Sequence, residues 1–350
     1  FHYHDHFRTD AVSDRFKAMA STWRNYVGQS AAQVEAAILD DKPDILIDLA
    51  GHTGISIRLG LFARRLAPVQ IAYLGYPNTT GVAAMDFRFT DAIADPPGEA
   101  DSFATERLTR FSTTAWAYQP PASTPDVTPP PSTLGPSRGI TFGCFNNLGK
   151  VTDDTLRTWS QLLASVPGSR LMLKGRGMDV PAQRDRFTAR LSRCGIEPAR
   201  VVLHARTAST AEHLALYREV DIALDTSPYN GTTTTCEALW MGVPVVSQCG
   251  DRHAARVGAS LLTAVGHEEW IASDEAAYLR IARSLADSGA QLREIRASLR
   301  GQLARSTVMD HAGQAARFGA ALRTCWRSYC ASVASHETRE PALAAVGAAS

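Results

Sequence analysis

Residues 221–246 constrain the fold more than any other part of this chain. They run Asp221-Ile-Ala-Leu-Asp-Thr-Ser-Pro-Tyr-Asn-Gly-Thr-Thr-Thr-Thr-Cys-Glu-Ala-Leu-Trp-Met-Gly-Val-Pro-Val-Val246. An apolar strand, a turn with glycine, a helix opening on threonines and a second apolar strand follow in that order. Threonine is a mediocre helix former inside a helix but a good one at its start, where its hydroxyl can satisfy free backbone N–H groups. A run of threonines after Asn230-Gly231 therefore marks a helix N-terminus rich in donors, backed by the positive end of the helix dipole. Such an end suits a phosphate or diphosphate. Glu237, on the first turns of the same helix, is placed to accept hydrogen bonds from a ribose. The plainer alternative is an ordinary capped helix with spare threonines.

The alternation of apolar runs and helical periods extends along the chain. Asp44–Leu49 and Val69–Leu74 suit buried parallel strands, with weaker candidates at Phe87–Thr90 and Arg107–Phe111. Arg8 to Asp41 carries helical spacing, first through Val12, Phe16, Met19, Ala20 and Trp23, then through Val34, Ala37 and Ile38. From Gln119 to Gly139, prolines at 120, 121, 125, 129, 130, 131 and 136 break the pattern and predict a semi-rigid extended linker. Beyond it, strands are expected at Ile140–Cys144, Arg170–Lys174, Val201–Leu203, Ile222–Leu224 and Val243–Ser247. Helices are expected near 153–166, 181–194, 210–220, 233–241, 254–264, 274–287 and 289–330, the last long enough to break. The expected organisation is a partial amino-terminal lobe at 1–118, a linker at 119–139, a second lobe at 140–330 and a flexible tail at 331–350.

Composition narrows the class. Lys and Arg total 36 against 35 for Asp and Glu, a formal net charge of +1, which argues against a nucleic-acid or membrane-surface partner. The 6 cysteines are scattered without metal-ligand spacing, which fits reduced thiols and a cytoplasmic protein. No apolar run reaches the roughly 18 residues of a membrane span, and the first residues lack a signal peptide's order. His2, His4 and His6 alternate as along a strand. A metal site is the sharper reading, but nothing nearby supplies a second shell, so a half-exposed strand is expected instead.

The segment from Asp225 to Pro244 closely resembles the donor-site segment of the O-GlcNAc transferase and SPINDLY family of protein glycosyltransferases. Asp44-Ile-Leu-Ile-Asp-Leu-Ala-Gly-His-Thr53, Ala67-Pro-Val-Gln-Ile-Ala-Tyr-Leu-Gly-Tyr-Pro77, Phe145-Asn-Asn-Leu-Gly-Lys150 and Ala254-Ala-Arg-Val-Gly-Ala-Ser260 match that family in the same order. The resemblance runs from about Phe7 to Ala286. It implies the GT-B architecture, two doubly wound Rossmann-like lobes facing a cleft with the ligand at the carboxyl ends of the strands. It also implies an inverting transfer of GlcNAc from UDP-GlcNAc to Ser or Thr hydroxyls of an acceptor protein or peptide, with no metal or other cofactor. Against the family pattern the chain begins inside the amino-terminal lobe. The His and Asp residues discussed as proton acceptors, and TPR-type helical repeats, would fall before Phe1.

Individual residues follow from the same blocks. Lys150, across a short loop from the strand at 140–144, would place its ammonium on a diphosphate oxygen as the bond breaks, a role the resemblance gives it; its plain alternative is a solvated lysine. His213 matches a family histidine near the nucleotide, and Asn147 and Ala208 match donor-binding positions. Thr232, Thr233, Thr234 and Glu237 complete the expected donor site. His52, Leu74, Gly75, Tyr76 and Pro77 are expected to shape the sugar or acceptor pocket, and His52 read alone is a general-base candidate. The chain departs from animal O-GlcNAc transferases, which carry His-Thr-Thr where Thr232-Thr233-Thr234 stands. Their ribose-binding Asp is Glu237, a Lys is Thr210 and an Arg is Leu216. These departures leave GDP-fucose open as a donor, since the SPINDLY branch includes protein fucosyltransferases. A nucleotide-binding module inactive through truncation is the reading from another class.

Overall fold

The computed structural model describes residues 1–7, 9–53, 58–135 and 138–337; Arg8, Pro136 and the tail beyond Glu337 lie outside them. The chain divides into two compact units. The first holds Phe1–Asp91, Pro96–Ala115 and the chain from Ala315; the second holds Ala92–Asp95 and Trp116–Gln314.

In the first unit, β1 (His2–His4) pairs in parallel with β2 (Trp23–Asn25). A second sheet holds β3 (Ile45–Asp48), β4 (Val69–Ala72), β5 (Phe87–Asp91) and β6 (Arg107–Phe111), all parallel and in chain order. Helices α1 (Ala11–Met19), α2 (Ala31–Asp41) and the short α3 (Leu59–Phe62) connect them. The helical spacing holds from Val12 to Met19 and fails at Trp23. Its ring stacks against His2 and His4 at 4.2 and 4.9 Å, so aromatic packing across the β1–β2 pair decides the local structure. The alternating histidines thus serve as packing for a half-buried strand. Helix α1 buries no residue, and Val12, Phe16 and Met19 on it are exposed. Helix α2 follows its sequence signals: Ser30 and Gln33 form a capping box, and Val34 and Ile38 are buried.

The loop after β4 rests on the loop after β3. A Cβ on Gly75 would sit 1.8 Å from the Leu49 carbonyl oxygen, and one on Gly51 2.3 Å from the Tyr76 Cβ. Gly75→Ala is therefore expected to cost about 1–3 kcal/mol, because backbone must move to admit the methyl. Urea denaturation checks this; an unchanged midpoint refutes it.

In the second unit a single parallel sheet has the order β12–β11–β10–β7–β8–β9. Its strands are β7 (Thr141–Cys144), β8 (Arg170–Lys174), β9 (Val201–His204), β10 (Ile222–Leu224), β11 (Val245–Gln248) and β12 (Ile271–Ala272). The chain starts mid-sheet at β7, winds outward to β9, then returns to β10 and winds out the other way. Strands β7 and β10 therefore lie side by side where the winding reverses, the switch point at which doubly wound sheets bind ligands. The connecting helices are α4 (Asp153–Ser165), α5 (Pro181–Arg193), α6 (Thr210–Ala215), α7 (Thr233–Trp240), α8 (Val257–Val265), α9 (Glu275–Ala286) and α10 (Gly289–Arg305). Helix α4 buries Leu156, Trp159, Leu162 and Leu163, a stripe at helical spacing.

Three features differ from the linear reading. The proline-rich segment belongs to the second unit: Pro131 is buried, and Ser132 donates from N and Oγ to Asp221 at 3.0 and 2.7 Å. The final helical stretch breaks after Arg305 and resumes as α11 (His311–Glu337), so residues 331–337 are helical and not a loose tail. From Ala315 that helix belongs to the first unit, where Phe318 packs 5.4 Å from Tyr73 and 5.5 Å from Phe89. An amphipathic period does not say which sheet it will cover, so the linear reading assigns this helix to the second lobe. Among the described residues no helix is long and apolar enough to cross a membrane.

Candidate functional site

The loops that leave β7 and β10 meet at the switch point, held by a buried carboxylate. Asp225 accepts from Asn146 Nδ2 at 3.0 Å, Thr226 N at 2.9 Å, Gly231 N at 2.7 Å and Ser247 Oγ at 2.7 Å. Burial pushes its carboxyl above the ordinary aspartate range, and these donors pull against that shift. Asn146 also donates to Thr226 Oγ1 at 2.9 Å and accepts from the Thr234 hydroxyl. Asn230, fully buried, donates to the Thr226 carbonyl at 2.9 Å and accepts from Gly258 N at 3.2 Å. The segment read from sequence as a donor loop is thus a rigid knot that sets where α7 begins.

Lys150 lies on that knot. Its ammonium donates to the Asn230 carbonyl at 2.8 Å and sits 3.7 Å from the centre of the Tyr229 ring. Burial pushes its pKa below the usual lysine range, opposed by the charge of Asp225. One ammonium hydrogen is engaged by Asn230, and the group stays next to the opening of α7.

The threonines divide their work. Thr232 caps α7 without a side-chain cap bond, so the expected hydroxyl-to-amide cap is not formed. Thr233 is exposed, Thr234 bonds Asn146, and Thr235 is buried. On the second turn Glu237 meets His213 of α6, Nε2 to Oε2 at 2.9 Å. With a carboxylate on Nε2 that nitrogen carries the proton, which fixes the tautomer. Its Nδ1 is buried and has no hydrogen-bond partner among the described residues. Phe145 and Tyr217 flank the His213 ring at 5.7 and 5.9 Å.

Two expected donor residues sit apart from this cluster. Asn147 is exposed and accepts from Gly149 N at 3.0 Å, stabilising its own turn; Asn146 is the neighbour that faces inward. The Ala208 amide donates to Glu212 Oε2 at 3.1 Å. Lys174, at the carboxyl end of β8, is a residue that sequence reasoning missed: it feels the charges of Glu237 and Arg206, and burial lowers its pKa. Its position at a strand's carboxyl end was the available signal. Asp225, also at a strand's end, carried the same signal.

In the first unit the expected sugar or acceptor residues form a group of their own. His52 Nε2 bonds the Thr80 carbonyl at 2.8 Å, and its ring meets Tyr76 edge-on at 4.8 Å. Leu74 adopts a left-handed φ of 69° and is exposed. Pro77 follows on the same half-buried turn. Beneath this group Asp48 accepts from Ala50 N at 3.0 Å and Gly51 N at 2.8 Å, and burial raises its pKa. Among the described residues no group of three or more His, Cys, Asp or Glu is placed to hold a metal ion.

Comparison with known proteins identifies the family and the fold. A probable UDP-N-acetylglucosamine–peptide N-acetylglucosaminyltransferase SPINDLY from Oryza sativa is 41% identical over 327 residues, 92% of this chain and 35% of its own length. The chain thus spans about a third of the length of such curated relatives. The structure of a variant O-GlcNAc transferase from Thermobaculum terrenum matches with a TM-score of 0.88 at 36% identity, covering 95% of this chain and 62% of that one. Sucrose-phosphate synthase from Thermosynechococcus elongatus shares the fold at a TM-score of 0.58 and 14% identity, covering 85% of this chain and 77% of that one. The architecture is GT-B, and residues 8–117 and 127–317 match a single family description. The chain belongs to glycosyl transferase family 41.

Proposed function

We propose that this chain transfers GlcNAc, with inversion, from UDP-GlcNAc to Ser or Thr hydroxyls of an acceptor protein or peptide. The acceptor oxygen bonds to the sugar's anomeric carbon as the bond to the diphosphate breaks on the opposite face. The observation that carries this reading is Lys150 held at the opening of α7, where leaving-group charge develops. In this reading Lys150 and the first amides of α7 neutralise the diphosphate, so no metal is needed. His213 and Glu237, bonded to each other, orient the nucleoside. Asn147 and Ala208 border the donor from their loops. In the first unit Nδ1 of His52 is the ring nitrogen left for substrate, and Leu74, Gly75, Tyr76 and Pro77 shape the acceptor side. The relatives named as UDP-N-acetylglucosamine–peptide transferases support the choice of donor and acceptor. We place the protein in the cytoplasm, in keeping with its thiols.

The second reading, GDP-fucose as donor, rests on Thr232–Thr234 and Glu237 standing where animal enzymes carry other residues. Calorimetry with UDP, GDP and uridine separates the readings. UDP is expected to bind more tightly than GDP. Thr233→Val is expected to weaken UDP by about 1–3 kcal/mol and leave uridine unchanged, because its exposed hydroxyl reaches only the phosphates. Tighter binding of GDP would favour the second reading. Equal losses for UDP and uridine would reduce the threonine to a helix cap.

A further inference from the structure

At the amino ends of β7, β8 and β9, the strand ends away from the switch point, the second unit carries an open cavity of about 300 Å³. That volume is at the lower end of small-molecule sites. Three arginines line it from separate elements: Arg138 at the end of the proline-rich segment, Arg170 at the start of β8, and Arg218 in the turn after α6. Glu219 is the one acidic side chain in the lining, 3.9 Å from Arg218. Arg138 and Arg170 have no ion pair among the described residues. The rest of the lining includes Met172 and Val202 from the sheet and Pro131 and Leu134 from the proline-rich segment. Leu134 is exposed, and the Thr128 hydroxyl in the same lining is buried without a hydrogen-bond partner.

We propose that this cavity is a binding site for a small phosphate ester with an apolar or planar body, separate from the donor site. The guanidinium fork matches phosphate geometry bidentately, which a Lys cluster would not do. Met172, Val202 and Leu134 take the body. The proline-rich segment gains a role here: Pro131 opens a 3-10 turn at 131–133 whose end carries Leu134 into the lining, a wall that needs no sheet partners. Strands β7 to β9 separate this site from Lys150 and His213 by roughly 15 Å at about 3.3 Å per residue, so both sites can be filled together.

The probe is phenyl phosphate, titrated by calorimetry into the intact protein with and without saturating UDP. Binding is expected in both cases, and to weaken as salt rises. The double substitution Arg138→Ala with Arg170→Ala is expected to weaken phenyl phosphate by roughly ten- to a hundredfold, with UDP affinity unchanged. Both side chains are exposed, so the fold should tolerate their loss. Leu134→Asn gives a second test, since Leu134 is exposed and its loss removes apolar contact without disturbing the core. It should weaken phenyl phosphate but spare inorganic phosphate. Competition between phenyl phosphate and UDP, undiminished binding in the double variant, or binding of an acidic peptide in place of the ester would each overturn the proposal.

Discussion

Replacing Lys150 with alanine is expected to lower sugar transfer by about a hundredfold or more, while UDP still binds and the protein stays folded. Losing one preorganised charge donor at a leaving group typically has that size of effect. The ammonium stands on the Asn230 carbonyl and the Tyr229 ring, so its position is fixed before any donor arrives. Its loss removes one hydrogen bond to a carbonyl, which sets the stability cost near 1 kcal/mol. Initial rates with an acceptor peptide, together with a melting curve, test both halves. Near-normal turnover at an unchanged melting temperature would remove Lys150 from the reaction.

A larger effect on stability is expected at Asp225. Asp225→Ala leaves Asn146, Thr226 N, Gly231 N and Ser247 without their shared acceptor in a site sealed from water. Each stranded donor costs on the order of 1–3 kcal/mol, and partial relaxation brings the expected total to about 3–5 kcal/mol. That is a large share of the 5–15 kcal/mol typical of a folded domain. Asp225→Asn is expected to recover only part of the loss, because its amide turns two hydrogens toward existing donors. Chemical denaturation reads the result, and a wild-type midpoint for the alanine variant would contradict the account of the knot.

The regular parts of this fold were legible because their local signals and tertiary roles agree. The strands at 170–174 and 222–224 fall where short apolar runs end at turn residues, and the parallel sheet buries both their faces. The stretch through Trp23 was misread because helical spacing and an aromatic strand residue coincide there, and only the His2 partner across the pair decides between them. At the site, Lys150 stood out by its place after a strand end, while His213 was singled out only through the family resemblance. Asn146 and Asn147 were indistinguishable, since consecutive residues in a loop point in directions fixed by partners far along the chain. Thr226 and Asp225 supply those partners from about 80 residues away. The His213–Glu237 contact spans 24 positions and two helices, so no local pattern announces it.

The route of α11 bears on the order in which the protein can be made. Tyr73 and Phe89 of the amino-terminal sheet are covered by Phe318, a residue synthesised only after the whole second unit. A ribosome therefore releases the second unit's sheet with its own strands complete, while the first sheet waits with aromatic rings bare. Contacts of such sequence separation are slow to close and expose sticky surface in the interval. Nascent chains stalled between the second unit and residue 318 should therefore engage chaperones through the sheet of residues 45–111, although that sheet was translated before the second unit.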